Sequence, residues 1–162
     1  MTVAHEISVR IVEEEYRRAR RIGQGFGWKF SDLDPSVPSF TVQVLSSIDR
    51  QSYVLEFACD NYKEWPPYIE FIHPETGERG TKRCYPLDSA PEGGAMFHLT
   101  PCICFPCSRK AYGRWQGPHP DWNDRIENWV AMSGAITTLA DMILMVHSRI
   151  NMENSYHGRM ES

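Results

Sequence analysis

An α+β fold is predicted by three observations: a three-and-four apolar spacing near the amino terminus, period-two alternation through the middle, and a second helical stripe towards the carboxy terminus. Between the strands and the second stripe lies an irregular stretch holding three of the five cysteines. At 162 residues the chain suits one core, since domains commonly hold roughly 100 to 200 residues. Residues 1–162 are therefore read as a single domain.

Residues 1–24 carry the first helix. From Glu6 to Ile22, Val9, Val12, Tyr16 and Ala19 make one apolar stripe, while Glu13/Arg17 and Glu14/Arg18 stand one turn apart. Acids precede bases, which suits the helix dipole, and Gly23 and Gly25 are natural stops. Arg17, Arg18, Arg20 and Arg21 form a basic face that reads either as a solvated surface or as a dock for an acidic partner.

Residues 39–85 carry the sheet. Phe40, Val42 and Val44 alternate with polar residues, as do Tyr53, Leu55, Phe57 and Cys59, and the short polar link 46–50 predicts an antiparallel hairpin. A third strand, Tyr68 to Ile72, follows Pro66-Pro67 and ends at His73-Pro74, with a fourth expected near Arg83 to Tyr85. The order predicted is a meander.

Residues 86–122 are the chemically rich segment. Phe97-His98-Leu99-Thr100-Pro101-Cys102-Ile103-Cys104-Phe105-Pro106-Cys107 runs to Gly117-Pro118-His119-Pro120-Asp121-Trp122, and its prolines disfavour a regular helix or a central strand. Loops of this composition carry binding and catalysis. Two chemistries compete: a nucleophilic thiol, or a tetrahedral zinc site built on Cys102, Cys104 and Cys107 with His98, His119 or Cys84 as the fourth ligand. Against zinc, there is no second Cys-x-x-Cys pair.

Residues 123–151 are read as one covering helix, with Ile126, Trp129, Val130, Ile136, Leu139, Ala140, Ile143, His147 and Ile150 on its apolar side. Asp121 or Asn123 can cap its start, Gly134 is the weak point at which it would kink or break, and His147 reads as a hydrogen-bonded core histidine. The tail 152–162 has no period and is left unassigned.

Composition narrows the function classes. A net charge of −4 argues against a general nucleic-acid binder, and no stretch reaches the ~18 apolar residues of a membrane span. Met1 to Ala19 mixes acids and bases without the apolar core of a secretory signal, so a cytoplasmic protein is expected. In a reducing compartment an odd number of cysteines points to thiol or metal chemistry before disulfides.

The element order, together with Tyr62-Lys63-Glu64-Trp65-Pro66-Pro67, Tyr68-Ile69-Glu70-Phe71-Ile72-His73-Pro74 and Ile103-Cys104-Phe105-Pro106, resembles the ubiquitin-conjugating enzymes, here as a minimal, bacterial-type relative. That resemblance implies a cysteine carrying a ubiquitin-like modifier as a thioester, an activating enzyme as partner, transfer to an amine, and no cofactor. By its flanks Cys104 is the carrier, and Cys84 is the rival because it follows His73 at closer to the family's spacing. Many members have asparagine after His-Pro to stabilise the oxyanion; this chain has Glu75, so His98 and His119 are the candidate substitutes. Asp121 is assigned to the incoming amine, Tyr112 and Cys107 to the substrate groove, and the four arginines to the activating enzyme. The alternatives are the zinc module, with no carrier, and an inactive variant that only binds a partner.

Overall fold

The computed structural model describes residues 4–89 and 95–162. Residues 1–3 and 90–94, which fall in the expected helix region 1–24 and site segment 86–122, lie outside the described residues.

Helix α1 (His5–Gln24) buries Ser8, Val12, Tyr16, Ala19 and Gly23. The stripe is the expected one except that Ser8, not Val9, is fully buried, its hydroxyl donating to the Tyr62 carbonyl. Neither Glu13/Arg17 nor Glu14/Arg18 is among the ion pairs of the described residues. Exposed pairs gain little over separate hydration. Glu15 instead accepts from Tyr62 Oη (2.8 Å), Lys63 Nζ (3.0 Å) and the Leu139 amide (2.9 Å), joining three distant segments.

Strands β1 (Lys29–Phe30), β2 (Ser39–Leu45), β3 (Ser52–Ala58) and β4 (Tyr68–Ile72) form one antiparallel sheet in that order. Alternation sends Phe40, Val42, Val44, Tyr53, Leu55, Phe57, Ile69 and Phe71 inward, all nearly or completely buried. The fourth strand is β1, at the opposite edge from the one expected. Residues 82–84 are a 3₁₀ turn, after which β5 (Pro86–Asp88) leaves the main sheet. Two small ribbons complete the strands: β6 (Phe97–His98) pairs with β7 (Cys102–Ile103), and β5 pairs with β8 (Tyr156–Arg159). The unassigned tail thus has structure, because Tyr156 Oη meets Tyr53 Oη (2.6 Å) and Arg159 lies over the Tyr53 ring.

The single covering helix is not observed. Pro120–Asn128 winds as 3₁₀ turns, α2 covers only Trp129–Met132, and α3 runs Leu139–Ile150. Gly134, at φ 60°, turns the chain into the left-handed region, and Thr138 starts α3 afresh. Its hydroxyl accepts from the Asp141 amide while the Asp141 carboxylate accepts from the Thr138 amide, a complete capping box. Leu139, Ala140, Met142, Ile143, Val146 and Ile150 pack α3 into the core shared with α1 and the sheet, whereas Val130 stays exposed. His147 Nδ1 accepts from Trp28 Nε1 at 3.1 Å, the hydrogen-bonded state read from the sequence. Among the described residues no helix is long and apolar enough to cross a membrane.

Candidate active site around Cys104

The β6–β7 ribbon sets the position of the thiol. Phe97 pairs with Ile103 and both enter the core, while His98 pairs with Cys102. The Cys104 amide then donates to Met96 O at 2.7 Å, so Cys104 sits one step beyond the ribbon at the surface. Cys59, Cys84, Cys102 and Cys107 are buried, and only Cys104 keeps part of its surface in solvent. Burial pushes the Cys102 thiol up to about 12 and raises those of Cys59 and Cys107 as well.

After Cys104 the chain is fixed to the link before β4. The Arg109 amide donates to Pro67 O (3.0 Å), and its guanidinium donates to Pro66 O (2.8 Å), Asp60 Oδ1 (2.8 Å) and Asp60 O (2.7 Å) beside the edge-on pair of Trp65 and Trp115 rings. Beyond it a loop closes on itself: the His119 amide donates to Ala111 O, the Gly113 amide to His119 O and the Gly117 amide to Tyr112 O. The approach is so close that a Cβ on Gly117 would lie 2.2 Å from the Ala111 carbonyl carbon. Glycine is the only residue that fits.

That closure brings His119 to Cys104. Cys104 Sγ and His119 Nε2 are 2.9 Å apart. The imidazole stacks on Trp122 with ring centres 3.6 Å apart and planes 4° from parallel, and its Nδ1 faces Asp121 Oδ1 at 3.8 Å. Burial raises the Cys104 thiol and lowers His119; Asp121 partly offsets the effect on His119 and His98 adds to it. Both shifts favour the uncharged thiol and imidazole, the state in which the sulfur can donate to Nε2 when the ring proton is on Nδ1. His98 is held the other way round. Its Nδ1 accepts from the Thr100 amide at 2.9 Å, which leaves Nε2–H as its donor.

Of the residues singled out from the sequence, Cys104, His119 and Asp121 converge, with His98 on the neighbouring strand. Tyr112 and Cys107 do not line a groove, because both are fully buried. Tyr112 lies edge-on to Trp122 and donates from Oη to Pro106 O (2.8 Å), supporting the loop from beneath. Cys84 is also buried, its thiol donating to Glu78 O, and is poorly placed for a carrier. The residues of the zinc alternative, Cys102, Cys104, Cys107 and His119, are not gathered: among the described residues no group of three or more His, Cys, Asp or Glu side chains is placed to hold a metal. Cys102 and Cys107 are sealed in packing on either side of the surface thiol. Neither Asp121 nor Asn123 caps a helix; Asn123 Oδ1 accepts from the Arg114 amide instead. The sequence reading missed Trp122 as the ring support, although its place three residues after His119, within one turn, was the available signal. Arg109 gave no signal, since its side-chain partners Pro66 and Asp60 lie 43 and 49 residues earlier.

Set against known protein families, curated proteins and solved structures, the chain matches none. The reading of the site therefore rests on its own geometry.

Proposed function

We propose that the protein is an acyl carrier of the ubiquitin-conjugating type, taking a ubiquitin-like modifier onto Cys104 as a thioester and passing it to an amine. The observation that carries this is the 2.9 Å contact between the one surface thiol and His119 Nε2. The helix, antiparallel sheet, cysteine ribbon and carboxy-terminal helix, in that order, are compatible with the fold the family implies.

In the loading step His119 Nε2 takes the proton as Sγ attacks the incoming thioester carbonyl. A tetrahedral intermediate forms, its C–S bond to the donor breaks, and His119 returns the proton to the departing thiolate. His98 Nε2–H is the proposed donor to the oxyanion in place of the family's asparagine. In the release step the uncharged amine attacks the acyl carbon as its proton passes to His119 Nε2, the tetrahedral intermediate collapses with loss of the C–S bond, and the proton returns to the departing Cys104 thiolate. Arg17, Arg18, Arg20 and Arg21 are all exposed, as the proposed dock for an activating enzyme requires.

The test uses a short peptide ending in glycine as an alkyl thioester. Intact mass should show one peptide per chain, removed by hydroxylamine, absent in Cys104→Ala and slow to form in His119→Gln. An equal adduct in Cys104→Ala, or neither an adduct nor free peptide acid released by the native protein, refutes the carrier and leaves the binding-only variant. Reversing Arg17 and Arg18 to glutamate should leave this exchange unchanged.

A further inference from the structure

Resting on the carrier reading, we infer a second activity of the same centre: Cys104 and His119 hydrolyse the acyl thioester that Cys104 forms, so the protein is also a thioesterase acting on its own acyl group.

A carrier without a base beside its thiol holds a thioester that water attacks slowly. Here the base is built in. Once His119 has returned its proton to the leaving thiol, the ring is neutral, and burial favours that neutral state. Acylated Cys104 no longer has an S–H to give, so Nε2 becomes an acceptor directly beside the acyl carbonyl. The ring cannot easily turn away, being stacked on Trp122 and held in a loop closed through both its own amide and its carbonyl. Cys104 is partly exposed, so water reaches this acceptor.

The choice between water and amine is one of protonation. A lysine amine titrates near 10.4, so at pH 7 only about one in 2,500 is uncharged, whereas water needs no prior deprotonation. Asp121, the carboxylate nearest His119, is itself about two-thirds exposed and within 3.7 Å of Arg125. It is poorly placed to strip a proton from an ammonium group. The step balances without another reagent. Water oxygen bonds to the acyl carbon as its proton passes to His119 Nε2; the tetrahedral intermediate collapses with loss of the C–S bond; the proton returns to the Cys104 thiolate. The products are a carboxylic acid and the free thiol.

The test uses p-nitrophenyl acetate and the full-length protein. Native protein and His119→Gln are both acetylated at about pH 9, where the thiolate form is available without a base. After removal of excess ester, decay of the acetyl adduct is followed by intact mass at neutral pH. The native adduct should decay about 100-fold faster than that of His119→Gln, the lower end of a general-base contribution. Its rate should fall as the pH drops below the range where His119 is neutral. If the adduct forms on Cys104 but survives equally in both proteins, the hydrolase inference fails and the carrier stands. If no adduct forms on Cys104 in either protein, both fall.

Discussion

Replacing His119 by glutamine removes the base 2.9 Å from Cys104 Sγ and keeps a polar side chain in its place. The cost begins with the thiol. An ordinary cysteine titrates near 8.5, so without a base about 3% is thiolate at pH 7. Burial raises the Cys104 value and makes that fraction smaller still. Losing the general base as well should slow alkylation of Cys104 at pH 7 by about 100-fold, the lower end of a general-base contribution, equivalent to about 2.7 kcal/mol of activation free energy. The pH profile separates the two proteins further. In the native protein the reactive form needs only neutral His119, whose value lies below the ordinary 6.5, so reactivity persists down through neutral pH. In His119→Gln it should fall tenfold for each unit below the thiol's own raised value. The assay is the iodoacetamide rate by intact mass, and it is clean because the other four cysteines are buried. Superimposable profiles would refute the assignment of His119 as base.

Three further outcomes are expected. His147 is held neutral by burial and accepts from Trp28, so its folded value lies below the ordinary 6.5; the stability it contributes is complete above that value and drains as pH falls through it. Urea midpoints between pH 7 and 5 should therefore drop further for the native protein than for His147→Gln, and parallel curves would remove the idea. Gly117→Ala drives a methyl into the Ala111 carbonyl and should cost about 1–3 kcal/mol. It should also lower Cys104 alkylation towards the His119→Gln rate; a normal rate would mean that loop closure does not position His119. Arg109→Leu strips the donors from Pro66 O and Asp60 O and should destabilise by about 3 kcal/mol in urea unfolding, an unchanged midpoint counting against the anchor.

What the sequence disclosed tracks how local each determinant is. The inward faces of β2, β3 and β4 and the stripe of α1 were legible because alternation and three-four spacing need only neighbours along the chain. Cys104 and His119 were legible as residue types, but their contact depends on the Gly117 closure, which no spacing rule reports. The long covering helix failed for an instructive reason. Its apolar stripe continues across Gly134 because both halves face the same core, so periodicity hid the break. The Thr138-x-x-Asp141 capping box, read first, would have placed the start of α3. Tyr112 and Cys107 were misassigned to a groove because an irregular segment looks exposed in sequence, whereas this one is folded back over the core and held by Arg109. β8 was hidden because it is tied to β3 through Tyr156 and Tyr53, residues 103 positions apart.

The stack of His119 on Trp122 gives the centre an optical readout. An indole emits strongly beside a neutral imidazole and is quenched by an imidazolium pressed against its face. Changes in the proton held by His119 should thus register in the emission of Trp122. A protein reduced to Trp122 by conservative replacement of its other tryptophans would let loading, release and titration of the site be watched in real time without a label.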